Sequence, residues 1–519
     1  MNKKIIDWPT FIGALVLLLL VVVPLSVFPV QGKTIVLAAN DFITQNFGVV
    51  YLVMGLAALV FLLFVTFSRY GKIKLGKQNE KPEFSTWSWA AMLFCAGIGS
   101  SILYWSVIEW AYYYQTPPFG IEPGTRDAIR WASTYGLFHW GPIAWAIYCL
   151  PALPIAYFLY IRKKPILKVS EACRPVFGKY VDGPFGKILD ILFLFGLLGG
   201  AGTTLALGTP LIAAGIHDLT GLPENTLLRT FVLLFCTVIF ATSSYTGLRK
   251  GIKYLSDLNV WLAFILITFV LIAGPTVFLF ETTVSAVGRM LNNFFSMSTF
   301  TEPFNNLGPF KRTGFPESWT VFYWAWWLVY APYMGLFVAK ISRGRTIRQM
   351  IIGTILYGSI GCILFFGILG NYALYLYLSG QLNVVEILNA SGAPAAILAV
   401  LHQLPLHNLV VFLFVVLAII FLSTTFDSSS YILASVVQKR INDEPLRWNR
   451  LFWAFALSLL PLVLMYLGGL TTLQSASIVG GFPLIFIMGM LGVSFIKAVK
   501  SDEMKAAKKE NPKLNKEAG

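Results

Sequence analysis

Residues 319–349 read WTVFYWAWWLVYAPYMGLFVAKISRGRTIRQ, and this stretch decides how the rest of the chain is read. An apolar run of membrane-crossing length ends in Arg343, Arg345 and Arg348. A helix needs about 20 predominantly apolar residues to cross roughly 30 Å of hydrocarbon. Trp319, Tyr323, Trp326 and Tyr330 recur at the three- and four-residue spacing that shares one helical stripe, with Trp327 beside them. Interfacial belts also enrich Trp and Tyr. Trp326 and Trp327, however, lie well inside the run, away from the arginines. The face of such a ring attracts cations, and a quaternary ammonium, too weakly hydrated to hold its own water, suits it best.

Runs of the same length recur along the chain. Twelve are found, near 8–30, 47–68, 87–113, 132–161, 187–213, 227–246, 256–282, 319–341, 348–377, 406–433, 448–468 and 474–497. The 519 residues are 57% hydrophobic and 12% charged, against roughly 25% charged in a soluble globular protein. The pattern predicts an all-α polytopic membrane protein of twelve transmembrane helices. The remaining charge is sorted by side. One set of loops carries Lys72, Lys74 and Lys77, then Arg162 to Lys168, Arg249 to Lys253, Lys340 to Arg348, and Lys439 to Arg447, whereas 383–405 has no Lys or Arg. Basic loops mark the cytoplasmic side, so both termini are expected there. The +15 net charge then reflects topology and contact with anionic lipid, not nucleic acid.

Asp7 and Trp8 lead straight into a span too long for the apolar core of a secretory signal. The five cysteines have no metal-binding spacing, and the four histidines are dispersed, His139 with no acidic or Cys neighbour in sequence. Without a Walker loop, HExxH or GxSxG, the chain reads as a non-enzyme with no organic cofactor. Residues 285–298 mix Phe and Met with Arg289 and Asn292, as an interfacial helix would. The stretch after Lys497 reads as a polar tail unable to pack a core.

Three further stretches bear on function. The first is FHWGPIAWAIY, which puts Trp140, Trp145 and Tyr148 on the fourth run, while Tyr112 to Tyr114 close the third. Together with the stripe of the eighth run they are candidates for one aromatic box. The second is CAGIGSS, where Gly97 and Gly99 interrupt the third run and Ser100 and Ser101 add polar groups. A Gly-broken span matched by a special span in the other half is the sign of an inverted-repeat transporter. Close helix packing is the other reading. The third is FLSTTFDSSS (421–430), which puts hydroxyls and Asp427 inside the tenth run. A hard cation wants oxygen ligands, and Thr424 and Thr425 with the carbonyls of Cys95, Ile98 and Phe421 would offer about five. The alternative reading has these hydroxyls bonding back to their own helix, with Asp427 paired to a basic residue at the cytoplasmic mouth.

WTVFYWAWW followed by KISRGRTIR, together with FHWGPIAWAIY and AGIGSSILYWSVIE, resembles the betaine/carnitine/choline transporter family, from the first span to Lys497. The resemblance implies a leucine-transporter-like core of two inverted five-helix repeats in a bacterial inner membrane, assembled as a homotrimer. On that pattern residues 1–86 are two peripheral helices and 87–282 the first repeat. Residues 283–318 are an interfacial helix and loop, 319–497 the second repeat, and 498–519 a cytoplasmic tail. It implies carriage of glycine betaine, choline or carnitine in a box of Trp140, Trp145, Tyr148, Trp326, Trp327 and Tyr330, joined by Tyr112 and Met334. Two branches of the family differ in coupling. Sodium symporters have a glycine-broken third span and hydroxyls then an Asp in the tenth. Sodium-independent carnitine/γ-butyrobetaine antiporters place an Arg where this chain has Asn259. Met334, Tyr330, Tyr112 to Tyr114 and TPPFG resemble the antiporters; Thr424, Thr425, Asp427 and above all Asn259 resemble the symporters. The expectation is sodium symport, with antiport as the near alternative. A channel would need a continuous polar pore, and an embedded enzyme would need clustered His or acidic residues.

Overall fold

The computed structural model describes residues 5–164, 168–246, 251–304, 307, 312–439, 444–467 and 470–510. Within these, the side chains of 94–98, 246, 251–257, 470–471, 473 and 508–510 are not described. In hydrocarbon every backbone N–H and C=O must be paired within the protein, and a helix does this by itself. All twelve apolar runs fall on helix, and the described residues contain no strand beyond two isolated bridges. Ten helices are long and apolar enough to cross a membrane unaided.

The peripheral pair is α1 (Trp8–Val27) and α2 (Pro29–Phe67). The third run is divided into α3 (Thr86–Ile98) and α4 (Ser101–Gln115). The fourth is divided into α5 (Arg126–His139) and α6 (Pro142–Cys149), continuing to Ile161. Then come α7 (Pro184–Thr220), α8 (Thr226–Thr246) and α9 (Gly251–Ala273). The seventh run, expected to reach 282, ends early. After Ala273 the chain bends by 110° into α10 (Thr276–Asn292). Gly274 and Pro275 at the bend break the helix, so the helix expected to be interfacial starts before 283. It exposes Val277, Phe280, Val284 and Leu291 along one stripe and buries Leu279, Ala286 and Met290 on the other, as a helix lying at the membrane surface does.

The second half opens with α11 (Phe322–Ile341) and α12 (Ile347–Phe365). Two short helices, α13 (Val384–Ser391) and α14 (Ala393–Leu401), fill the loop without basic residues. Then follow α15 (His407–Val436), α16 (Arg447–Leu467) and α17 (Leu470–Glu510). Helix α11 is continuous, so the broken third span has no broken counterpart at the start of the second half.

The basic loops gather at one end. Arg162 binds Asp502, Arg69 reaches Glu503, Arg343 binds Glu80, and Lys168 pairs with Asp7. Asp7 and Asp502, near the two ends of the described residues, therefore lie at that end. The stretch read as a polar tail starts as structure: α17 continues through it to Glu510, burying Ala498 and Val499, because Arg162 and Arg69 hold its acidic turn.

Candidate functional site

Two interruptions and one continuous helix build the site. At the first, Gly99 takes φ +53° between α3 and α4, a left-handed conformation that costs glycine little and other residues more. A Cβ there would come within 3.1 Å of the Thr425 hydroxyl oxygen on α15. The second lies at Trp140 and Gly141. A Cβ on Gly141 would sit 2.4 Å from the Leu137 carbonyl oxygen, so glycine lets the chain fold tightly before Pro142 restarts the helix. The break turns Trp140 toward α11.

There the rings converge. Trp140 meets Trp327 edge to face with centroids 4.7 Å apart. Tyr148 approaches the same indole at 5.6 Å and 79°, and Trp326 stacks on it at 5.4 Å and 14°. These edge-to-face and offset arrangements are the favourable ones for aromatic quadrupoles. One cavity is lined by Trp140, Tyr148, Trp326, Trp327, Tyr330 and Met334, with Gly99, Ser101, Thr204, Tyr333 and Thr425 completing it. The Tyr330 hydroxyl is fixed by donating to Thr204 at 2.9 Å. The rings are buried within the protein; they do not face lipid.

Two expected members stand elsewhere. Trp145 lies behind Tyr148, ring to ring at 5.7 Å and 88°. It packs on Gly358, where a Cβ would strike the indole at 2.0 Å. Tyr112 belongs to a different aromatic cluster, 6.1 Å from Trp105 and 5.5 Å from Trp319. Spacing could not show this, because the Gly141 break resets the helical phase that would relate Trp145 to Trp140. Tyr333 and Thr204 were not singled out from sequence, and their contribution depends on packing between helices.

For a small cation the structure gives a mixed picture. The side chains of Cys95 and Ile98 lie outside the described residues. Thr424 and Thr425 both donate to the Phe421 carbonyl, at 3.1 and 2.9 Å, which is the back-bonding reading. Each hydroxyl oxygen still has lone pairs to offer, and Thr425 reaches the cavity. Ser100 Oγ, Ser423 Oγ and Asn259 Oδ1 are buried without a hydrogen-bond partner among the described residues. Unclaimed buried oxygens of this kind suit a hard cation. Asp427 is buried and accepts from the Ser243 hydroxyl of α8. Among the described residues it makes no ion pair, and its carboxylate faces α8.

A carboxylate that sequence reading left unassigned sits against the box. Glu109 of α4 is fully buried. It accepts from Trp140 Nε1 at 3.1 Å, from the Tyr323 hydroxyl at 2.5 Å, and from the Tyr113 hydroxyl. His139 thus has in space the acidic neighbour it lacks in sequence, with Nδ1 3.9 Å from Glu109. An ionisable residue inside a span is a functional candidate by default, and that signal would have found Glu109.

Residues 9–504 match the family model described as BCCT, betaine/carnitine/choline family transporter. The chain is 38% identical over 452 residues to the uncharacterized transporter YeaV of Escherichia coli (strain K12), covering 86% of this chain and 92% of that one. It is 36% identical over 475 residues to the glycine betaine transporter OpuD of Bacillus subtilis (strain 168), covering 91% of each. It is 33% identical over 497 residues to a carnitine transporter of Acinetobacter baumannii, covering 95% of this chain and 89% of the other.

Proposed function

The chain belongs to the betaine/carnitine/choline transporter family, and we propose that it imports a trimethylammonium compound by alternating access, driven by sodium symport. It is a membrane transporter, not an enzyme. One observation carries the substrate class: Trp140, Tyr148, Trp326, Trp327 and Tyr330 surround a single buried cavity. Water solvates a quaternary ammonium poorly, whereas each ring face contributes roughly 0.5–2 kcal/mol to holding it. Several together support micromolar binding, about −8 kcal/mol, after ordering costs.

The cavity volume is about 30 Å³, enough for little more than a water. The rings must therefore part to admit a trimethylammonium group, and their closure around it couples binding to occlusion. Sodium is carried as a second substrate by Thr424, Thr425 and the carbonyls of Cys95, Ile98 and Phe421, at the Gly99 break. Asn259 favours this reading over exchange. A neutral amide brings no fixed positive charge, whereas an Arg would supply a permanent one. The end holding the basic loops and both termini faces the cytoplasm of a bacterial inner membrane, against anionic lipid. A homotrimer is the expected assembly.

Met334 on the cavity wall favours the second reading, a sodium-independent carnitine/γ-butyrobetaine exchanger. Proteoliposome uptake of radiolabelled glycine betaine, choline and carnitine separates the two. Symport predicts saturable uptake of at least one compound that requires an inward sodium gradient. Uptake that ignores sodium but needs internal substrate would establish the exchanger, and uptake of none would remove the assignment.

A further inference from the structure

The Glu109 carboxylate lies outside the cavity wall but bonds to one of its rings. It takes three hydrogen bonds, one from the indole N–H of Trp140. The proton positions behind it are consistent along the chain of contacts. With the Glu109 carboxylate ionised, Tyr113 donates to it, His139 Nδ1–H then donates to the Tyr113 oxygen across 2.7 Å, and Thr320 donates to His139 Nε2 across 3.1 Å. This leaves the imidazole neutral and every group in the chain paired. The backbone carbonyl of the same His139, freed where α5 ends, accepts from Trp327 Nε1 at 2.9 Å. Both indoles of the edge-to-face pair are thus held by their N–H groups from one buried network.

A neutral acceptor would orient Trp140 equally well. Among the described residues no lysine or arginine pairs with Glu109, and a carboxylate in a span is expensive to bury. An anion accepting from the indole N–H adds something an amide cannot. It pushes electron density into the ring, and it sets a negative charge one ring away from the cavity. Both strengthen attraction to a cation on the ring face.

We infer that Glu109 is a positioning residue for substrate selectivity: through Trp140 it makes the box prefer a quaternary nitrogen over an uncharged group of the same shape. This rests on the reading of the cavity as the trimethylammonium site. It is tested on the full-length transporter by competition against radiolabelled uptake. The competitors are choline and glycine betaine, each beside its carbon isostere, in which a quaternary carbon replaces the nitrogen. Glu109→Gln is expected to weaken inhibition by the nitrogen compounds about tenfold and by the isosteres less than about twofold. Trp140→Phe, which keeps a ring but removes the N–H, is expected to do the same. The double variant should lose little more than either single one, the coupling expected of residues acting together. Equal weakening of compound and isostere, or additive losses in the double variant, would reduce Glu109 to a packing role and overturn the inference. If neither choline nor glycine betaine inhibits the unaltered protein, the trimethylammonium reading itself fails, and this inference falls with it.

Discussion

The two walls of the aromatic cavity are made in opposite ways. One wall is a single unbroken helix, α11, whose rings arrive by helical spacing: Tyr323 and Trp327 stack at 5.8 Å, and Trp319, from the turn that leads into α11, stacks on Tyr323 at 6.4 Å. The other is the break between α5 and α6, where Trp140 is aimed by a loss of helix and held by Glu109 from a third element. A regular helix presents a ladder of rings but cannot bend one ring across another. A break can do so, and the cost is that freed backbone groups and a turned indole need partners. His139 O finds Trp327 and Trp140 Nε1 finds Glu109. The contrast teaches that one wall supplies the aromatic surface and the other supplies its orientation.

The largest test strikes the regular wall. Trp327→Leu removes the indole that contacts Trp140, Tyr148 and Trp326 at once. Uptake is expected to drop by about a hundredfold or more while membrane expression stays normal on a blot; wild-type uptake would take the site off α11. The irregular wall is probed by Gly141→Ala. The added methyl meets the Leu137 carbonyl, so the break must shift and Trp140 with it. We expect KM to rise about tenfold, and an unchanged KM would show that the tight turn does not aim the ring.

Smaller effects sharpen the boundary of the site. Thr424→Ala combined with Thr425→Ala should raise the sodium concentration for half-maximal uptake about fivefold, a loss of about 1 kcal/mol of ligand oxygens. Unchanged dependence would favour the exchanger. Trp145→Phe is the smallest. Because Trp145 backs Tyr148 and packs on Gly358, we expect affinity to change by less than about twofold and thermal stability to fall by about 1–2 kcal/mol. A tenfold loss of affinity would bring Trp145 back into the box.

Much of this was legible in residue order. Run length places the apolar runs on helix, although ten helices rather than twelve are long and apolar enough to cross a membrane unaided, and the Lys and Arg in alternate loops give a basic end that the Arg162–Asp502 and Arg69–Glu503 pairs bear out as one place. The interruption at Gly99 could be read from glycine and serine inside an apolar run. Tyr112 and Trp145 were expected in the box from the family resemblance, and neither lines the cavity, because helix phase and a break decide which ring faces inward. His139 looked isolated because its partners, Glu109, Tyr113 and Thr320, come from α4 and the approach to α11.

The chain by itself determined the class of solvent it lives in, the helical character of its apolar runs and the ring-bearing face of α11. These follow from local rules of hydrocarbon thickness and a 3.6-residue turn, which act on neighbours in sequence. Only the tertiary structure decided which rings share a cavity, that Tyr333 and Thr204 join them, and that a buried carboxylate stands behind Trp140. Those depend on separate helices settling against each other, and no periodicity in one segment encodes the rotation of another.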